Sequence, residues 1–250
     1  MFPVLQIGSL AVQVPGLVML AGLWLGLILA ERYAAGFGVA ANQLYNLAFV
    51  ALASGVIGAR VVFVLRYPLA FTASPISLLS LNLDLFDPSG GLALALIASL
   101  IYGQRHSMKL LPTLDALTPL LAILAVTASI AHLASGSAFG APTHIPWGID
   151  LWGERRHPTQ VYEILASSLL LIVFWPGRET YHKWDPGNYF LAFTGSSASL
   201  YLFLQAFRGD SPVLINGLRI PQIIAWLVLA FCLVAIGKLS KRNIKEYKIR

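Results

Sequence analysis

Long apolar runs broken by short polar ones make up this chain. The apolar runs cover Gly16 to Ala30, Leu44 to Leu65, Gly90 to Tyr102, Leu114 to Ser135, Gln160 to Trp175, Tyr189 to Phe207 and Ile220 to Ile236. Most approach the roughly 20 residues that carry a helix across about 30 Å of hydrocarbon. In lipid a spanning segment must satisfy its backbone internally, so each run predicts a helix. Together they predict an all-α, polytopic membrane protein of about seven transmembrane helices, one helical domain over residues 1–250. Ahead of the first helix, Ile7, Leu10, Val12 and Val14 alternate with Gly8, Ser9 and Gln13 before Pro15, which predicts a short lead-in segment. Tyr67 to Ser89 is mixed and contains prolines, with Leu78-Leu79-Ser80-Leu81 expected to lie at the interface. Gly136 to Thr159 holds Pro142, His144, Pro146, Trp147 and Trp152. It is too long for a plain turn between helices, which predicts a structured loop at the membrane surface.

Composition narrows the class. Of the 250 residues, 57% are hydrophobic and 11% charged, well below the quarter-charged make-up of a soluble domain. Cys232 is the only cysteine, which excludes an internal disulfide and a cysteine-rich metal site; inside the last apolar run it reads as core. Met1-Phe2-Pro3 has no basic stretch and no small-residue cleavage site close behind the first apolar run, so the first helix is expected to be retained.

The net charge of +6 is carried largely by the tail at 238–250, where Lys238, Lys241, Arg242, Lys245, Lys248 and Arg250 follow the last helix. A basic stretch in that place reads as a cytoplasmic anchor on anionic lipid, not as a nucleic-acid surface. With the tail inside, Arg32, Arg105, Lys109, Arg178 and Lys183 join it for a total of eleven. Arg66, Arg155, Arg156, Arg208 and Arg219, five in total, lie outside. The N-terminus is therefore expected outside.

This orientation gathers polar residues from five segments at the outer leaflet: Arg60, Gly90-Gly91, His132 to Gly140, Arg156 to Glu163, and Arg208. The densest is Arg155-Arg156-His157-Pro158-Thr159-Gln160-Val161-Tyr162-Glu163, which runs straight into an apolar helix. Read blandly, it is an interfacial cap, with Pro158 opening a helix and Arg and Tyr at the headgroups. Read functionally, arginines at that depth match a lipid phosphate in charge and in two-pronged geometry. Moving a group from such a lipid also needs a proton acceptor, for which His132, His157, Glu163 and Tyr162 are the local candidates. Competing readings are a satisfied histidine at a helix end for His132, a helix cap for His157, and an ion-pair partner of an arginine for Glu163. His106, His144 and His182 fall in polar loops and read as solvated. The histidine spacing supports no metal site, and no cofactor is expected.

Over nearly its whole length the chain resembles the bacterial prolipoprotein diacylglyceryl transferases. The likeness is carried by Pro3 to Leu10, Gly16-Leu17, Gly58-Ala59-Arg60, Gly90-Gly91-Leu92, Asp115 with Pro119, Gly136, Gly140, Pro142-Thr143 and Pro146-Trp147-Gly148. Arg156-His157-Pro158-Thr159-Gln160-Val161-Tyr162-Glu163 matches the family's Arg-His-Pro-Ser-Gln-Leu-Tyr-Glu, and Arg208-Gly209-Asp210 fits the stretch after the sixth helix. The resemblance implies a seven-helix enzyme of the bacterial inner membrane. Such an enzyme moves diacylglyceryl from phosphatidylglycerol to the lipobox cysteine of a prolipoprotein, forming a thioether and releasing glycerol phosphate. The substrate-binding candidates are then Arg60, Gly90, Gly91, Gly140, Arg156, Gln160, Tyr162, Glu163 and Arg208, with His132 and His157 as candidates for handling the proton.

The departures fall on the family's reactive positions. The His-Gly-Gly that opens the third helix reads Ser89-Gly90-Gly91, and Arg-x-Gly-Asn at the end of the fourth reads Ser129-Ile130-Ala131-His132. The following Asn-Gly-Glu reads Ser135-Gly136-Ser137, Arg-x-x-x-Glu of the sixth helix spans Tyr201 to Gln205, and the lead-in Tyr-Gly is Pro15-Gly16. Removing charged clamps costs orders of magnitude in rate, which predicts a weakened or absent family reaction. The alternative is a non-catalytic, lipid-binding subunit of a larger membrane complex, with other membrane subunits as partners. A transporter is disfavoured because the ionisable residues do not cross the midplane.

Overall fold

The computed structural model describes residues 4–7, 10–72, 85–177, 180, 184–211 and 219–249; the expected interface segment at Leu78 to Leu81 lies outside them, as does His182. Among the described residues, seven long helices form where the seven apolar runs stand. They are α1 (Val14–Ala34), α2 (Ala41–Arg66), α4 (Pro88–Arg105), α5 (Leu110–Ser135), α6 (Thr159–Val173), α7 (Asn188–Gln205) and α8 (Ile220–Ile249), with a five-residue helix α3 (Pro68–Thr72) after α2. Four segments among the described residues are long and apolar enough to cross a membrane: Val14–Phe37, Ala41–Arg66, Leu110–Ser135 and Ile220–Ser240. Helix α6 is apolar but spans 15 residues.

Two short hairpins interrupt the helices. The lead-in alternation has the period of a strand, and β1 (Val4–Ile7) pairs antiparallel with β2 (Leu10–Gln13), Val4 opposite Gln13. The loop before α6 contains β3 (Ile149–Leu151) and β4 (Glu154–Arg156), with Ile149 opposite Arg156. Trp152 and Gly153 at its tip have φ of 54° and 82°, the left-handed pair that a two-residue hairpin turn requires.

The chain forms two compact units, Gly38–Thr113 and the remainder, Met1–Phe37 with Leu114–Arg250. In the first of these, glycines bring α2 and α4 into backbone contact. A Cβ on Gly58 would strike Leu94 and the Gly90 carbonyl, one on Gly90 would strike Val62, and one on Gly91 would lie 3.0 Å from the Gly55 carbonyl. This is the small-residue packing by which helices approach closely in lipid.

Asp87 caps α4, accepting the Gly90 N–H at 2.8 Å and the Ser89 hydroxyl, and pairs with Arg66 at 2.6 Å. The Ser89 hydroxyl, aided by the Gly90 N–H and the Arg66 charge against some desolvation, holds this carboxyl below its ordinary value. A carboxyl depressed by folding contributes stability above its unfolded pKa of about 3.9 and loses it as pH falls through the lower folded value. Hydrogen-exchange protection of the first turn of α4 is therefore expected to drop on acidification below about pH 4. In Asp87→Asn the acid step should be missing; the same step in that variant would assign it elsewhere.

In the larger unit, α1 packs on α5 at glycines that leave no room for a side chain, Gly22 against Thr127 and Gly26 against Leu120. A core of Ala122, Leu170, Phe174, Tyr189 and Phe193 joins α5, the end of α6 and α7, and the Tyr189 hydroxyl donates to the Phe174 carbonyl at 2.6 Å. Buried Cys232 on α8 lies beside Gly195 of α7. Asp115 of α5 crosses to the start of α7, where its carboxylate accepts the Gly187 N–H at 2.5 Å and the Phe190 N–H at 2.8 Å. It thus satisfies two of the four donors that a helix N-terminus leaves open.

Candidate functional site

Three segments of the larger unit are sewn together by main-chain hydrogen bonds. Residues 139–143 run between 155–157 and 207–209. On one side Ala141 N–H donates to Phe207 at 2.8 Å and Gly209 N–H to Phe139 at 2.8 Å. On the other, His157 N–H donates to Ala141 at 3.0 Å and Thr143 N–H to Arg155 at 2.8 Å. Gly140 sits where the three meet, and any Cβ there would run into the carbonyl and Cβ of His157. Gly209 faces the Gly140 carbonyl in the same way. Below this knot, the Thr159 hydroxyl donates to Ala138 at 2.5 Å and Gln160 Nε2 to Ser137 at 3.0 Å, so the first turn of α6 is fixed to the chain that follows α5. Gly140→Ala is expected to destabilise the unit by about 2 kcal/mol through overpacking. Thermal unfolding in detergent measures it, and an unchanged midpoint would show that the knot yields.

The knot delivers four charged or titratable side chains to one line. Glu163, buried on α6, accepts His132 Nδ1–H from α5 at 2.8 Å on one oxygen and Arg208 NH1 at 2.9 Å on the other. Arg208 turns its Nε and NH2 to the two oxygens of Asp210, at 2.9 and 2.8 Å. Burial raises the Asp210 carboxyl, but the hydrogen bonds and charge of Arg208 outweigh it and hold it below the usual carboxylate range. Burial likewise works against the Arg208 charge, and Asp210 prevails, so the guanidinium is pushed above its ordinary value. A carboxylate oxygen accepts, so the Nδ1 that faces Glu163 is the donating nitrogen and Nε2 is the one turned to another partner.

This pair closes one end of a cavity of about 210 Å³ among α5, α6 and α7. Its walls are Ala125, Ala128, Ser129 and His132; Glu163, Ala166, Ser167 and Leu170; and Ser197, Leu200, Tyr201 and Leu204. Each helix contributes positions i, i+3, i+4 and i+7, the residues of one helical face. Ser129, Ser167 and Ser197 donate to carbonyls of their own helices, Ala125, Glu163 and Phe193.

Of the other expected residues, those of the larger unit lie near this centre. Arg156 stacks on Phe139 and Trp152, bonds Glu154 at 2.6 Å and the Gly140 carbonyl at 3.3 Å, and has a buried Nε with no hydrogen-bond partner among the described residues. His157 packs its ring against Phe207 and Tyr162, with Nδ1 buried and without a hydrogen-bond partner among the described residues. Tyr162 accepts Trp147 Nε1–H at 2.9 Å. Arg208, expected from the sequence as a phosphate ligand, is bonded to two carboxylates, Glu163 and Asp210. In the smaller unit Arg60 donates to the Leu85 carbonyl at 2.9 Å and stacks on Phe71 and Phe86, while Gly90 and Gly91 serve the α2 crossing.

Sequence reasoning left out Asp210, Ser167 and Ala166. Asp210 is signalled by its spacing of two from Arg208, and the wall residues by the face-forming spacing on each helix.

A family model described as prolipoprotein diacylglyceryl transferase matches residues 3–237. The chain is 25% identical over 234 residues to the phosphatidylglycerol–prolipoprotein diacylglyceryl transferase of Finegoldia magna, covering 92% of each protein. Over 228 residues it is 25% identical to the Clostridioides difficile protein of the same name, covering 91% of each. To that of Nitratidesulfovibrio vulgaris it is 31% identical over 178 residues, 68% of this chain and 67% of the relative.

Proposed function

Since the chain belongs to the prolipoprotein diacylglyceryl transferase family, we propose that it is a multi-pass protein of the bacterial inner membrane that binds phosphatidylglycerol at the outer leaflet and transfers its diacylglyceryl group to a prolipoprotein cysteine. The observation that carries this reading is the His132–Glu163 pair at the polar end of an apolar cavity. A carboxylate-oriented imidazole is the arrangement that activates a weak nucleophile. In the proposed step, His132 Nε2 takes the thiol proton and the sulfur forms a bond to the glyceryl carbon. The carbon–oxygen bond to phosphate breaks, and glycerol phosphate leaves. Arg208 orients Glu163, and Asp210 holds Arg208. Arg156, with Gly140, Gln160 and Tyr162 around it, is the proposed contact for the lipid headgroup. Arg60 with Gly90-Gly91 is proposed as a lipid contact of the smaller unit.

The full chain in phosphatidylglycerol nanodiscs, given a lipobox peptide, should add a diacylglyceryl mass to the cysteine and release glycerol phosphate. No mass gain would remove the transfer reading. The non-catalytic reading draws on Tyr201 and Ser129, uncharged residues on the cavity wall where the resemblance places arginines. Stoichiometric partners retained in mild detergent, together with an unmodified cysteine, would favour that subunit role.

A further inference from the structure

Two arginines of the larger unit turn the same edge, Nε with NH2, towards a carboxylate two residues away, and the two edges are filled differently. Arg208 sets Nε and NH2 on the two oxygens of Asp210 at 2.9 and 2.8 Å, the two-pronged fit of a guanidinium to a carboxylate. Arg156 sets NH2 on one oxygen of Glu154 at 2.6 Å, and its Nε is buried with no hydrogen-bond partner among the described residues. A buried donor without an acceptor is costly. The fork of Arg156 is therefore half made, and an anionic oxygen is what would complete it.

The groups around Arg156 are held with unequal firmness. Its guanidinium lies 5.5 Å from the Phe139 ring, and NH1 donates to the Gly140 carbonyl at 3.3 Å; both belong to the stretch that main-chain hydrogen bonds fix on its two sides. The Arg156 side chain is 16% exposed and that of Glu154 is 55% exposed. The cation is built into the knot, whereas the carboxylate has only to turn into water to leave, and a half-exposed ion pair is weak. We infer that Glu154 is an internal competitor for the anion site of Arg156. It occupies NH2 while no lipid is bound, and a phosphate takes NH2 together with the open Nε as Glu154 swings out, two prongs replacing one. This rests on the reading of Arg156 as a headgroup contact and adds to it a residue whose loss strengthens lipid binding.

Native mass spectrometry of the full chain, released from phosphatidylcholine nanodiscs that carry a minor share of phosphatidylglycerol, tests it without turnover. Glu154→Gln is expected to retain roughly fivefold more phosphatidylglycerol than the unaltered chain, a ratio equal to about 1 kcal/mol. Arg156→Gln should retain less, and the double variant no more than Arg156→Gln, because the competitor then has nothing to compete for. Asp150→Asn removes an exposed carboxylate from the facing strand β3 and should leave retention unchanged. Retention by Glu154→Gln at or below that of the unaltered chain, a gain that persists without Arg156, or an equal gain in Asp150→Asn would each overturn the competitor. The two readings separate in the same spectra. If Arg156→Gln retains as much lipid as the unaltered chain, the headgroup reading of Arg156 falls and the competitor with it. If Arg156→Gln loses lipid and Glu154→Gln gains none, only the competitor falls.

Discussion

Replacing His132 with alanine is expected to lower kcat/KM for diacylglyceryl transfer by about two to four orders of magnitude, the usual weight of a positioned base. Glu163→Gln should cost less, roughly one to two orders. It removes the acceptor that fixes the imidazole tautomer but leaves the ring beside the cavity. A His132→Ala protein with the full rate would show that the thiol loses its proton elsewhere, and His157 would be the next residue to replace. Arg208→Lys belongs to the same series. Lysine offers one point charge where arginine bridges two carboxylates in a plane, so the rate should fall while the lipid still binds.

The second large effect is on stability. Asp115→Ala is expected to destabilise the larger unit by about 2–5 kcal/mol, since each buried backbone N–H left without a partner costs about 1–3 kcal/mol and two are involved. Gly187 before α7 has no side chain and makes no cap, so the carboxylate from α5 has no local substitute. Asp115→Asn keeps one acceptor and should lose about half as much. Denaturant or thermal unfolding in micelles reads both. Equal stability of Asp115→Ala and the unaltered chain would mean that the Gly187 and Phe190 donors find other acceptors.

Much of the fold is legible because a bilayer leaves few choices. An apolar run must become a helix, so all seven helices stand where the runs stand, and α4 begins two residues earlier than its run because Asp87 and Pro88 supply a cap and a first turn. The β1–β2 pair is written in the alternation of Leu10, Val12 and Gln13, but its partner, Val4 to Ile7, shows only in the fold. The loop at 136–159 conceals its hairpin because three-residue strands carry too little pattern. Among site residues, Glu163 as the partner of an arginine is visible in the sequence, and the partner itself, Arg208, stands 45 positions away. Arg208, expected from the sequence to meet a phosphate, also bonds Glu163 and Asp210, and the contact to Glu163 arises only through folding. His157, by contrast, meets Phe207 at a tilt and Tyr162 edge-on in an aromatic cluster, contacts that neither its neighbours nor its proline foretell.

The three matching wall stripes carry a consequence for selectivity. Each extends over seven positions, about 10 Å along a helix axis, so the three offer a tail about that length of apolar wall. Tails up to that reach gain contact with every added carbon, whereas longer tails gain none, so affinity across a homologous series should climb and then level off.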